Sequence, residues 1–275
     1  MNKTVVPPEN LVIYEVQGAP DPDGRPLLGP GFLGFWIESG YTFFFFDQEA
    51  DDHLGPFLAA DAGLKLRCVH RMKYSQWQDG ARFSPFVVGP LTIGPAWSNP
   101  PLEPGENLIV IDPGLAFGYG GHPTTRACLE ALARVARGCR PERVLDLGAG
   151  AGILALAAAR LGASQVRAVE YSHLAADAAR ANVARNGLDE KVEVIRGLAE
   201  DHLDYPADLV LSNLHYQVQE AILEQGGFDG RRHIILSGLF HEEGRRLEDA
   251  LVARGLRLVD RVRDDRWTTL LMRAD

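Results

Sequence analysis

The stretch Val144-Leu145-Asp146-Leu147-Gly148-Ala149-Gly150-Ala151-Gly152 joins an apolar strand pattern to three glycines at alternate positions. Glycine permits a sharp turn and lets a ligand lie close against the backbone. The apolar run Ile153-Leu154-Ala155-Leu156-Ala157 follows, so the turn opens a helix with free N–H groups and a positive dipole end. A dinucleotide fingerprint needs glycine at 148, 150 and 153, and position 153 is Ile, which argues against a nicotinamide-dependent oxidoreductase. Glu170 stands 22 residues past Gly148, at the end of the next apolar run. A carboxylate there can accept both ribose hydroxyls of a nucleoside cofactor, with Tyr171 stacking near the ribose or base edge. The alternative is an exposed acid at a strand end. Asn213 follows the apolar run 209–211, at the same carboxyl edge. Its side-chain oxygen can hold an amine N–H, although Asn also caps helices and forms turns. From Asp112 to Arg126 runs a glycine-rich loop with Phe117, Tyr119 and His122 between its glycines, the pattern of a loop folded against a ligand rather than a bare connector. His122 and His215 are candidate proton acceptors, but a turn histidine more often bonds backbone.

These residues need a frame that brings strand ends together. From residue 107 onward strands and helices alternate: strands at Leu108–Ile111, Arg143–Leu147, Gln165–Glu170, Val192–Arg196, 209–212 and 233–236, with helices at 124–136, 153–161 and 242–254. An Ala-rich helix starts after Ser172, a plausible N-cap, and stops at Asn186-Gly187. Runs 256–262 and 268–272 follow each other without a helix, which favours an antiparallel hairpin on an otherwise parallel sheet. The pattern predicts a doubly wound α/β domain whose ligand site lies at the carboxyl ends of its strands. Residues 1–97 differ, with short β-like runs at 11–16, 32–37, 41–46, 64–70 and 86–93 and one weak helical segment at 48–60. They predict a small β-rich or α+β domain. A proline-dense linker at 98–106 separates it from the second domain, 107–275.

The bulk numbers restrict the function class. The 275 residues are 46% hydrophobic and 24% charged, enough apolar material for a large core. With 28 basic against 37 acidic residues the net charge is −9, without the basic footprint of a nucleic-acid binder. Cys68, Cys128 and Cys139 lie far apart, so neither a disulfide framework nor a metal site is expected. The first residues lack an apolar signal core, and no apolar run approaches the ~20 residues of a membrane span. The expected location is the cytoplasm.

The G-x-G-x-G turn after Asp146-Leu147 is the pattern of S-adenosylmethionine (AdoMet) methyltransferases. Residues 107–275 resemble the PrmA-type methyltransferases, which modify ribosomal large-subunit protein eleven. The resemblance rests on Asp112-Pro113-Gly114-Leu115-Ala116-Phe117-Gly118 with His122-Pro123-Thr124-Thr125-Arg126, on the segment 144–154, and on Asn213-Leu214. It implies a class I, Rossmann-like fold with a mostly parallel seven-stranded sheet, AdoMet as cofactor, and a ribosomal protein as substrate, methylated on lysine or an α-amine. It assigns the family's roles to Phe117, Gly118, Gly148, Gly150, Glu170 and Asn213, and Tyr119, Asp146, Gly152 and Tyr171 complete the expected cofactor contacts. Asn213 also faces the target amine as the catalytic residue. The family usually has Thr at the position of Tyr119 and Asp at that of Glu170, and the added bulk at 119 bears on the acceptor. The alternatives are a methyltransferase for another protein or a small molecule, and a non-catalytic AdoMet-binding scaffold. Asn213 beside an intact glycine turn counts against the scaffold.

Overall fold

The computed structural model describes residues 8–20, 29–38, 40–77, 83–97, 107–116 and 120–274. The chain divides into two compact units, Met1–Arg82 with Ser172–Leu174, and Phe83–Tyr171 with Ala175–Asp275.

The first unit carries β1 (Asn10–Gln17), β2 (Phe32–Glu38), β3 (Tyr41–Phe46), α1 (Asp51–Ala59), β4 (Lys65–Lys73) and the short α2 (Tyr74–Trp77). Its strands form one antiparallel sheet in the order β2-β3-β1-β4. Successive strand side chains point to opposite faces, which accounts for the four-phenylalanine run. Phe44 and Phe46 join Val12, Tyr14, Val16 and Leu54 in the core beneath α1. Phe45 packs on the other face, its ring 5.8 Å from Trp36 and 5.1 Å from Trp77. The buried Tyr14 hydroxyl accepts the Ala50 N–H at 2.8 Å, satisfying a polar group just before α1.

The second unit begins earlier than the sequence predicts. Its first elements are β5 (Phe86–Val88), β6 (Leu91–Pro95) and β7 (Leu108–Ile111). Run 86–93 is thus a hairpin of two strands, and β6 pairs in parallel with β7 to make a three-stranded sheet. That pairing, invisible to local pattern, moves 83–97 out of the N-terminal domain expected at 1–97 and into the second unit. The linker expected at 98–106 lies outside the described residues.

Then follow α3 (Pro123–Gly138), β8 (Arg143–Leu147), α4 (Ile153–Arg160), β9 (Gln165–Glu170), α5 (His173–Arg185), β10 (Val192–Arg196), β11 (Leu209–Asn213), α6 (Tyr216–Glu224), β12 (His233–Phe240), α7 (His241–Ala253), β13 (Leu256–Arg263) and β14 (Trp267–Ala274). The seven-stranded sheet has the order β10-β9-β8-β11-β12-β14-β13. β8 through β12 pair in parallel; β14 inserts between β12 and β13, antiparallel to both. The expected terminal hairpin is present. Residues of α3, α4 and α5 share one apolar core with one face of the sheet, and residues of α6 and α7 share the other. Strand order reverses at β8, the position where doubly wound sheets open a crevice at their carboxyl ends. Sequence periodicity does not mark α6, which is only nine residues long and buries only Gln219, Ile222 and Leu223.

Candidate active site

The glycine turn between β8 and α4 is built on left-handed backbone, with φ of 72° at Gly148, 56° at Gly150 and 87° at Gly152. Each of these conformations excludes a side chain at little cost only for glycine. Neighbouring elements fill the space so created. A Cβ on Gly148 would lie 2.1 Å from the Leu214 side chain, and one on Gly152 would press on Ala179 of α5 at 3.3 Å. The amides of Gly148, Ala149, Gly150 and Gly152 are bonded within the protein. Gly148 and Ala149 donate to the Val169 carbonyl at 2.9 and 3.0 Å, and Gly150 donates to Glu170 Oε2 at 2.8 Å. Glu170 therefore sits at the end of β9 against the turn, within the same crevice. Tyr171 follows it and is 60% exposed.

Asp146 occupies β8 two residues before the turn and is 1% exposed. Burial pushes its carboxyl up to about 7, the charge of Glu170 pushes in the same direction, and a hydrogen bond from the Ala155 backbone N–H holds it down. Oδ2 of this carboxyl is buried without a hydrogen-bond partner. A buried acceptor left open is costly unless a donor arrives.

Asn213 closes β11, the strand beside β8. Its amide nitrogen donates to the hydroxyls of Thr124 at 3.3 Å and Thr125 at 3.4 Å, both in the first turn of α3. That commits the nitrogen end and makes the carbonyl oxygen the end able to accept an amine N–H. Behind it, Gln219 of α6 is fully buried and donates to the carbonyls of Leu214 at 2.6 Å and Ser237 at 2.7 Å. Gly238, at φ 79°, lets β12 pass under this turn, because a Cβ there would sit 2.6 Å from the Leu214 carbonyl oxygen.

The two histidines divide. His122 is the N-cap of α3: its ring nitrogen accepts the Thr124 N–H at 3.3 Å and meets the Thr124 hydroxyl at 2.7 Å. His215 is exposed and precedes α6 without capping it through its side chain. The His122 ring also meets the edge of Trp267 at 5.4 Å, and Phe240, 47% exposed, stacks on Trp267 at 5.0 Å. A cavity of about 340 Å³ opens along the first turns of α3, lined among others by Thr124, Glu130, Asp264 and Trp267.

The structure thus gathers Asp146, Gly148, Gly150, Gly152 and Glu170 around one turn and brings Asn213-Leu214 against it. Phe117, Gly118 and Tyr119 lie outside the described residues. Among the described residues no cluster of three or more potential ligands could hold a metal ion. Sequence reasoning did not find Gln219, Gly238, Phe240 or Trp267. The one signal available was the glycine in Ser237-Gly238-Leu239, which interrupts an otherwise apolar strand.

Strand order, the glycine turn at the order reversal and the acid on the neighbouring strand define a class I, Rossmann-like methyltransferase fold. The family model for ribosomal protein L11 methyltransferase (PrmA) matches residues 58–275, and the chain belongs to that family. A ribosomal protein L11 methyltransferase of Exiguobacterium sp. is 36% identical over 184 residues, which are 66% of this chain and 58% of that protein. One from Geobacter sulfurreducens is 37% identical over 233 residues, 81% of this chain and 75% of that protein. The crystal structure of ribosomal protein L11 methylase from Lactobacillus delbrueckii subsp. bulgaricus superposes with a TM-score of 0.58 at 29% identity, covering 70% of this chain and all of that one. The chain spans 58–62% of the length of the Exiguobacterium relative and of a second from Desulforamulus reducens.

Proposed function

We propose that this chain is an AdoMet-dependent protein N-methyltransferase acting in the cytoplasm on a lysine or α-amine of a ribosomal large-subunit protein, the substrate class named in its relatives. The observation that carries the reading is the meeting of two half-sites. The glycine turn with Glu170 lies on one side, and Asn213, its nitrogen tied down, lies at the end of the adjoining strand. The residues present fit the cofactor. Asp146 Oδ2 is a buried acceptor without a donor, suited to the ammonium of a methionine moiety, and Glu170 offers a carboxylate for ribose hydroxyls. When bound, AdoMet supplies an electrophilic methyl group on a sulfonium.

The protein then has to position and desolvate. Free lysine has a pKa of ~10.4, and only its neutral form attacks carbon. Desolvation beside apolar groups such as the stacked Trp267 and Phe240 rings lowers that pKa, and the proton leaves to solvent before the amine enters. The Asn213 carbonyl oxygen accepts one remaining N–H and aims the lone pair. Holding two reactants in line contributes ~7–11 kcal/mol in favourable cases. Glu130 and Asp264 at the cavity along α3 suit a cationic substrate segment, with Arg126 on the same wall offsetting part of their charge.

The test is methyl transfer from labelled AdoMet by the purified chain into an extract of cells lacking it, resolved by size and mass spectrometry. Label on a ribosomal large-subunit protein is the expected result. Label elsewhere keeps the methyltransferase and discards the substrate; absence of label with measurable AdoMet binding favours the scaffold.

A further inference from the structure

Two asparagines on α5 and the residue just after it do the work of a β-strand. Asn186 Oδ1 accepts the Val110 N–H at 2.9 Å while its Nδ2 donates to the Val110 carbonyl at 2.7 Å. Asn182 repeats the pattern on Asp112, accepting its N–H at 2.9 Å and donating to its carbonyl at 2.8 Å. The registers agree because four helical residues rise roughly 6 Å and two strand residues roughly 6.6 Å. β7 is paired with β6 along its other edge, so the two amides complete the hydrogen bonding of an edge that would otherwise end in partly buried, unpaired groups.

Asn182 does one thing that Asn186 does not. Its Nδ2 also donates to the Ala151 carbonyl at 3.0 Å, in the middle of the glycine turn. Both amide hydrogens are then used, and Oδ1 serves Asp112 and the Arg185 guanidinium, so this fully buried side chain is saturated. The second donor of Asn186 goes instead to the Asn182 carbonyl at 2.8 Å, in the last turn of α5. One side chain therefore fixes the glycine turn and the segment that follows β7 to the same point on α5. Ala179, one turn earlier on α5, closes on Gly152 from the same side.

We propose that Asn182 is a positioning residue for the AdoMet pocket, setting the height of the 150–152 turn relative to the Asp112–Ala116 segment so that both meet the cofactor in register. The assignment rests on the cofactor reading above. It acts through Ala151 and Asp112 and touches no reacting atom.

Asn182→Asp and Asn186→Asp form a matched pair, since each keeps the acceptor and the size and loses one buried and one part-buried donor bond. The 275-residue chain and both variants are compared by thermal unfolding, by calorimetric Kd for AdoMet and S-adenosylhomocysteine, and by amide exchange of peptides covering 144–156 without ligand. Both variants lose Tm. Asn182→Asp weakens both ligands tenfold or more and speeds exchange across the turn, and KM for AdoMet rises more than kcat falls. Asn186→Asp leaves Kd within about twofold. Equal Kd losses in the two variants, or an unchanged Kd in Asn182→Asp, would overturn the assignment. A wild-type chain that binds neither ligand would overturn the cofactor reading, and with it the role for Asn182 in that pocket, even if exchange across the turn still rose.

Discussion

In the proposed reaction three side chains carry the chemistry, and each has a separable consequence. Asn213→Ala removes the oxygen that would aim an amine but leaves the glycine turn intact. Turnover is expected to fall ~100-fold with AdoMet Kd near wild type, and a collapse of Kd would reassign Asn213 to the cofactor. Glu170→Ala does the reverse. It removes a carboxylate hydrogen bond to Gly150 and, in the proposed complex, those to ribose, so the AdoMet Kd should weaken by ~10–100-fold. Asp146 brings a pH dependence. Its carboxyl titrates near 7 in the folded chain against 3.8 when unfolded, so the folded state binds the extra proton between those values. Stability is therefore highest below the unfolded value and falls as pH rises through that window. Asp146→Asn should flatten this slope in urea unfolding and stabilise the chain above about pH 7, by an amount on the order of a few kcal/mol. An ammonium delivered beside the carboxyl expels the proton, so AdoMet Kd in the wild type should weaken as pH falls below about 7, and the Asn variant should lose that dependence.

At the scale of elements, the site depends on close approaches of backbone. The turn after β11 crosses over β12 at Gly238, where a Cβ would stand 2.6 Å from the Leu214 carbonyl oxygen. Unlike a side-chain tip, that oxygen cannot rotate away. Gly238→Ala also forces alanine into φ 79°, and the expected loss is ~1–3 kcal/mol in urea unfolding. Turnover should fall with it because Asn213 moves, while AdoMet Kd changes little. If turnover survives the stability loss, the crossing does not set the position of Asn213. Gly148 is a different case: its conflict is with the branched end of Leu214, so its requirement for glycine comes first from its φ of 72°. The three-glycine turn was legible in the sequence because all its glycines are neighbours. Gln219, Gly238 and Asn182 were not, because each takes its meaning from a carbonyl on a different element. Asn182 bonds a residue 70 positions away, and local periodicity carries no trace of such a partner.

At the scale of the molecule, the two units have separate apolar cores, one beneath α1 and two on the faces of the seven-stranded sheet. Two calorimetric transitions are expected. AdoMet at 100 times its Kd should stabilise only that of the second unit, by ~2.7 kcal/mol. Phe46→Ala should lower only the other, by ~3–5 kcal/mol, because it empties a fully buried ring position in the first core. A single transition, or a shift of both by AdoMet, would mean the units unfold together. The amino-acid sequence determined the α/β alternation, the antiparallel close at 256–272 and the glycine turn with Glu170 and Asn213 at strand ends, since each is a periodicity or spacing within a few dozen residues. Tertiary structure alone decided that 83–97 belongs with the second unit, that the amides of 148–150 are spent on β9, that His122 caps α3, and that Asn182 ties two distant segments. Those outcomes depend on which backbone groups are left unpaired after the strands align, and only the folded arrangement specifies that.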